Sequence, residues 1–119
     1  MDSIHDRIKV VNVRGLDPRG DGAGIVYVGR RCQSWRGSVL GNPYRLGKDG
    51  TREEVIRKYR EWLKKKLEAD PQVQSAVMDI VWMLDGGEPV KLGCWCAPLP
   101  CHAEVIKEVV LEHYQALFT

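Results

Sequence analysis

Leu92-Gly93-Cys94-Trp95-Cys96-Ala97-Pro98-Leu99-Pro100-Cys101-His102 is the stretch that decides how the chain is organised. It holds three of the four cysteines and one of the three histidines. The residues from Pro89 to Leu92 predict the start of a buried strand, and apolar residues recur after the stretch at helical spacing. A thiol-rich loop between the carboxyl end of a strand and the start of a helix is a place where α/β proteins bind ligands.

The spacing of the cysteines indicates what this loop can do. Cys94 and Cys96 are two residues apart, so on a strand both sulfurs point to one face and Trp95 points to the other. Cys101 and His102 open a helix, where unpaired backbone N–H groups and the helix dipole favour an anion. That position lowers the pKa of a thiol and makes it more nucleophilic. Metal ligation, thiolate reactivity and anion binding are therefore the three chemistries open to this stretch.

Structural roles compete with these chemistries. Reduced cysteines are among the most buried residues, so Cys94 or Cys96 taken alone is equally well explained as a core residue. The density of the cluster favours a functional site, because a plain core has no need of His102. Zinc is the metal alternative, although two adjacent ligands need a bent backbone to point the same way. The four candidate zinc ligands are Cys94, Cys96, Cys101 and His102.

Length and composition predict one domain, residues 1–119, with a core over about 8–117. Its hydrophobic content of 44% and charged content of 29% are ordinary for a soluble protein. Apolar runs of membrane-spanning length are absent from the sequence, and the first six residues lack a basic-then-apolar signal. We therefore expect a cytoplasmic protein without a membrane partner, whose cysteines stay reduced.

The net charge of +2 hides an uneven distribution. Between Arg30 and Lys66 there are twelve lysines and arginines against four acidic residues, whereas the remainder of the chain is acidic. A basic segment of this kind predicts a partner with phosphate groups: a nucleotide, another phosphate-bearing small molecule or a nucleic acid. The alternative is a charge separation that is balanced within the fold.

The order of predicted elements is β-β-α-α-β-α. β-branched runs predict strands at Ile8–Val13 and Ile25–Val28, and a third strand begins at Val90. A capping box at Thr51 opens the first helix, Asp70-Pro71 opens the second, and Gly86-Gly87 ends the second. The predicted fold is a small, single-domain, layered α/β fold with a short parallel or mixed sheet of about three strands or more, covered by three helices.

The segment from Arg30 to Gly47 has no periodicity, and loops of this length in compact domains tend to be functional or disordered. Guanidinium groups bind phosphate, aromatic faces stack on bases, and an amide bonds polar groups. Alternatively, the segment covers one edge of the sheet, with Trp35 and Tyr44 as core residues. The candidate ligand-binding residues are Arg30, Arg31, Trp35, Arg36, Asn42 and Tyr44, together with Cys96.

Five motifs carry a resemblance to a known family. They are Tyr27-Val28-Gly29-Arg30, Gly41-Asn42-Pro43-Tyr44, Asp49–Ile56 with Tyr59–Leu63, Cys94-Trp95-Cys96 and Cys101–Ile106. In this order, from Val10 to Val110, the chain resembles the family catalogued as domain of unknown function 4326. The resemblance implies a stand-alone domain of phages, bacteria or archaea, and it marks residues without naming a reaction.

The preferred hypothesis is a domain that binds a nucleotide-like or other phosphate-bearing ligand, with catalysis as an open extension. If a reaction occurs, Cys101 is the candidate nucleophile and His102 the nearest base. Two alternatives are a zinc-stapled Cys/His interaction module and a cofactor-free nucleic-acid-binding accessory protein. Under the preferred hypothesis, Cys96, Cys101 and His102 lie at the carboxyl edge of the sheet, beside the loop Gly41-Asn42-Pro43.

Overall fold

The structure, a computed structural model, describes residues 4–118 and confirms a small α/β fold. Its sheet has three strands, and three helices account for most of the remaining regular structure. In chain order, a 3-10 turn at Ile4–Arg7 is followed by β1 (Ile8–Asn12), β2 (Val26–Tyr27), α1 (Arg52–Ala69), α2 (Pro71–Asp85), β3 (Val90–Cys94) and α3 (His102–Phe118). In the described part of the chain, no helix is long and apolar enough to cross a membrane.

The sheet is entirely parallel, with the strand order β1-β3-β2. Asn12 of β1 is in register with Cys94 of β3, and Tyr27 of β2 is in register with Gly93. Beyond the strands, the Val28 N–H donates to the Gly93 carbonyl at 3.0 Å. The carboxyl ends of all three strands therefore meet along one edge of the sheet.

One face of the sheet forms the main core with the helices. Alternate residues along each strand point to this face, so Ile8, Val28, Val90 and Leu92 are buried among side chains of α2 and α3. A fully buried Leu side chain contributes about 2 kcal/mol of hydrophobic stabilisation. Cys94 shares this face, which places its sulfur inward at the end of the central strand.

The opposite face is covered by loop residues. Val13 and Ile25 lie over Gly93, where a Cβ atom would come within 2.7 Å and 2.5 Å of their side chains. Trp35 is 4% exposed and packs on Tyr27, with ring centroids 5.1 Å apart. The absence of a side chain at Gly93 therefore lets the loops approach the centre of the sheet.

The helix boundaries follow from their caps. Thr51 Oγ1 accepts from the Glu54 N–H, and the Glu54 carboxylate accepts from the Thr51 N–H, which confirms the predicted capping box. The Asp70 carboxylate accepts from the Gln72 N–H at the start of α2, where Pro71 is the first helical residue. α1 therefore begins, and α2 begins and ends, where the sequence predicts.

Candidate ligand-binding site

A cavity of about 430 Å³ lies at the carboxyl edge of the sheet. Its walls come from the segments after β2 and β3 and from the first turns of α1 and α3. The volume falls within the range of roughly 300–1,000 Å³ that small-molecule sites occupy. Ligand sites of open α/β sheets lie at this edge, because the loops that follow parallel strands converge there.

Arginine is the only charged residue type in the described lining of the cavity. Four guanidinium groups contribute, and none of the described lining residues is Asp or Glu. The four residues are Arg30, Arg31, Arg45 and Arg52. Positive charge without a local counter-charge favours an anion, and guanidinium groups match the geometry of phosphate and carboxylate oxygens.

A second part of the lining is apolar. Val55 and Ile56 of α1 face the cavity, as do Tyr44 and Leu46 of the preceding segment. Leu46 is exposed in spite of its large apolar side chain, with 56% of its surface accessible. The cavity therefore offers both a cationic and an apolar-aromatic surface to one occupant.

The segment between β2 and α1 is held against the body of the domain by a few hydrogen bonds. The buried Tyr59 hydroxyl donates to the Leu40 carbonyl at 2.6 Å, and burial raises the pKa of Tyr59. The Ser38 N–H donates to the Gly29 carbonyl at 3.0 Å. The Asn42 side-chain oxygen accepts from the Tyr44 N–H at 2.9 Å, which fixes the turn that brings Tyr44 to the cavity.

Three thiols form a cluster at the inner end of the cavity. The Cys101 thiol donates to the Cys94 sulfur, with the two sulfurs 3.5 Å apart, and it also bonds the Cys96 sulfur. The Cys94 sulfur further accepts from the backbone N–H groups of Ala97 and Cys96. The proton of the cluster therefore belongs to Cys101.

This arrangement separates the acidities of the three thiols. Hydrogen bonding of its single S–H, shared between the sulfurs of Cys94 and Cys96, and then burial raise the pKa of Cys101. The hydrogen bond from Cys101 lowers the pKa of Cys94. The same donor lowers the pKa of Cys96 to about 6, and hydrogen bonding and positive charge from Arg52 act in the same direction. The lowering of the pKa that the sequence predicts for Cys101 thus falls on Cys94 and Cys96 instead.

His102 has a structural hydrogen bond. Its Nε2 lies 2.6 Å from the Val28 carbonyl, which can only accept, so Nε2 carries the proton. The ring packs edge-on against Tyr59, with centroids 5.0 Å apart. Burial, with a smaller effect from Arg30, lowers the pKa of His102 and keeps the ring neutral. The Cys101 thiol bonds the Cys94 sulfur in the described structure, so a pairing of Cys101 as nucleophile with His102 as base stays a prediction.

The cluster does not have the arrangement of a metal centre. Among residues 4–118, no group of three or more Cys, His, Asp or Glu side chains is placed to hold a metal ion. The thiols bond one another, and Nε2 of His102 bonds a backbone carbonyl. The residues of the zinc alternative, Cys94, Cys96, Cys101 and His102, therefore do not fit a zinc site.

The structure brings together most of the residues singled out from the sequence. Arg30, Arg31, Asn42 and Tyr44 line the same cavity as the thiol cluster and His102, as the expected position of the Gly41-Asn42-Pro43 loop requires. Trp35 and Arg36 lie outside it: Trp35 is buried on the other face of the sheet, and Arg36 is exposed. The roles of all these residues in binding stay predictions.

Sequence reasoning missed two of the four lining arginines, Arg45 and Arg52. Arg52 follows the N-cap Thr51, so the capping box already placed it at a helix N-terminus. Its guanidinium donates to the Pro100 carbonyl at 2.9 Å and so connects α1 to the thiol loop. Arg45 directly follows the Gly41-Asn42-Pro43-Tyr44 motif, but nothing in the sequence distinguishes it from a surface residue.

Comparison with known proteins identifies a family. The model of the family described as a domain of unknown function (DUF4326) matches residues 14–112, which is most of the chain. The protein therefore belongs to this family. A comparison with the curated proteins gave no match, and a comparison with the solved structures gave none either.

Proposed function

We propose that this member of the DUF4326 family binds a phosphate-bearing small molecule in the arginine-lined cavity, and that a nucleotide is the class that fits best. One observation carries the proposal: four guanidinium groups and no described carboxylate line a cavity of about 430 Å³. Such a site repels cations and offers several charge-assisted hydrogen bonds to an anion.

The division of the lining into two surfaces supports a nucleotide over inorganic phosphate. Arg30 and Arg52 lie beside the thiols and bind the phosphate groups, whereas Tyr44 with Leu46 and Ile56 provides an aromatic-aliphatic surface for a base. Stacking of a base on an aromatic ring contributes roughly 1–3 kcal/mol. Asn42 lines the same space, and its side-chain NH₂ group suits a polar edge of the base or sugar.

Concavity favours a small molecule over a nucleic acid. The four arginines converge on one enclosed space, whereas a polymer requires basic residues along an extended face. Other exposed cations on α1, including Arg57 and Lys58, lie outside this cavity and provide the surface that a polymer would use.

The test measures thermal unfolding with phosphate, pyrophosphate, a set of nucleotides and a single-stranded oligonucleotide. A nucleotide that binds the folded state raises the melting temperature in proportion to the logarithm of its excess over Kd. Arg31→Gln should weaken binding roughly tenfold or more, because a hydrogen bond to a charged group contributes about 1.5–3 kcal/mol.

The matched control is Arg36→Gln, since Arg36 is an exposed arginine of the same segment outside the cavity. Equal losses of affinity in Arg31→Gln and Arg36→Gln would show that the ligand binds outside this cavity. Binding of the oligonucleotide alone, with an affinity that falls steeply with salt, would favour the nucleic-acid alternative.

A further inference from the structure

The three clustered thiols differ in their access to the cavity. Cys94 is 1% exposed and Cys101 is 4% exposed, whereas Cys96 is only half-buried. All three contribute to the lining. A molecule that occupies the cavity therefore meets the sulfur of Cys96 with less obstruction than either of its neighbours.

The surroundings of Cys96 favour a negatively charged sulfur. Cys96 and Arg52 line the same cavity, and the Arg52 guanidinium donates to the Pro100 carbonyl of the thiol loop at 2.9 Å. Hydrogen bonding with Cys101 and Arg52 lowers the pKa of Cys96. Arg30 adds positive charge from the other side of the lining. The thiolate is the nucleophilic form of cysteine, and cationic, partly exposed surroundings are typical of reactive cysteines.

We infer that Cys96 is a nucleophile, which forms a thioether with an electrophilic carbon of an anionic molecule held by the arginines of the cavity. This inference rests on the proposed anion binding and adds a covalent step to it. The sulfur of Cys96 supplies the electron pair of the new S–C bond. The bond between that carbon and its leaving group breaks, and the leaving group departs with the bonding electrons. Cys101 keeps its proton and acts as a positioning residue.

The experiment compares two alkylating reagents that differ in charge: iodoacetate, which is anionic, and iodoacetamide, which is neutral. Both transfer a carbon to sulfur and release iodide. The protein carries Cys32→Ser, because Cys32 is the other half-buried cysteine. Peptide mass mapping over time measures alkylation at each remaining cysteine.

We expect Cys96 to be alkylated first. For Cys96, the rate with iodoacetate divided by the rate with iodoacetamide should be roughly tenfold larger than for free N-acetylcysteinamide at low salt. An effect of this size is expected from one nearby cation. The excess should fall as salt is added, because salt screens the arginine charges. The pH profile of the reaction should have its midpoint near 6, well below that of a free thiol.

Two variants of α1 test the role of the guanidinium. Arg52→Gln should remove most of the preference for iodoacetate, and Arg52→Lys should restore part of it. Arg57→Gln is the matched control, because Arg57 is an exposed arginine of the same helix outside the cavity. An equal loss in Arg57→Gln would overturn the assignment to Arg52.

Pyrophosphate separates this inference from the proposed function. Protection of Cys96 by pyrophosphate, together with the iodoacetate preference, supports both. If pyrophosphate raises the melting temperature while Cys96 reacts no differently from the free thiol, the nucleophile is overturned and anion binding stands. If pyrophosphate neither raises the melting temperature nor protects Cys96, and Cys96 shows no charge preference, the anionic substrate and the proposed function fail together. Alkylation of Cys94 or Cys101 ahead of Cys96 also overturns the inference.

Discussion

Helices α1 and α3 both begin at the cavity, but their first turns are built differently. At α1, hydroxyl and carboxylate oxygens of Thr51 and Glu54 bond the free N–H groups, and both residues stay in contact with solvent. At α3, the Cys101 sulfur accepts from the Ala103 N–H while the residue itself is buried. Sulfur is a weak acceptor in comparison with oxygen.

This difference separates two uses of a helix N-terminus. The oxygen-based cap of α1 is the arrangement that stabilises a helix most. The cap of α3 replaces oxygen with a thiol that also donates to the Cys94 sulfur at the cavity. The comparison indicates that the start of α1 is built for stability, whereas the start of α3 combines stability with the chemistry of the site.

The largest expected effect is at His102, the first residue of α3. We expect His102→Ala to lower the free energy of unfolding by roughly 3 kcal/mol, because it leaves the Val28 carbonyl unpaired and a void against Tyr59. His102→Gln keeps a donor at this position and should cost less. Denaturant unfolding measures both. A cost below about 1 kcal/mol for the alanine variant would contradict a structural role for the ring.

A smaller change in the free energy of unfolding is expected when the pH is lowered. The lowered pKa of His102 means that below pH 6.5 the unfolded chain binds a proton that the folded chain does not. Stability should therefore decrease as the pH falls from 6.5 to 5, by at most about 1.4 kcal/mol per pH unit. The lowered pKa of Cys96 acts mainly between pH 9 and 6, above this window. The free energy of unfolding of His102→Gln, measured over the same pH range, should lack this contribution. An identical dependence on pH in the wild type and in His102→Gln would refute the assignment to His102.

The smallest effect compares the two caps directly. Thr51→Ala should lower the free energy of unfolding by about 1 kcal/mol, the usual cost of a lost N-cap, and leave the reactivity of Cys96 unchanged. Cys101→Ala removes a hydrogen-bond donor from Cys96, so its alkylation midpoint should shift upward from about 6. Denaturant unfolding measures the stability of both variants, and the pH profile of alkylation measures the midpoint for Cys96 in each. A shifted midpoint in Thr51→Ala would show that the caps are not separate in function.

Local chemistry explains which elements could be predicted from the sequence. The start of α1 and the ends of α2 follow from side chains that bond their own backbone, such as Thr51 and Asp70, or from the helix-ending pair Gly86-Gly87. The bounds of the strands were predicted less accurately, since β2 covers Val26–Tyr27 instead of Ile25–Val28. The predicted ends, Ile25 and Val28, lie outside β2, although the Val28 N–H still donates to the Gly93 carbonyl.

The sequence predicted those parts of the candidate site that follow from converging strand ends. It missed those parts that depend on tertiary packing. The carboxyl edge followed from parallel strands, which brings the thiols and Asn42 together. The burial of Trp35 depends on the second face of the sheet, which loops cover instead of helices. The proton on Cys101 depends on distances between sulfurs that no spacing in the sequence specifies.

The strand order has a consequence for how the chain folds during synthesis. Within the described residues, β1 and β2 do not pair with each other, and both pair with β3, which begins only at Val90. Until β3 has left the ribosome, the two earlier strands have no native partner, and unpaired strand edges promote aggregation. Closing such distant contacts is also slow compared with forming helices. The sheet is therefore completed in one late event, when a five-residue strand, Val90–Cys94, inserts between two strands that were synthesised long before it.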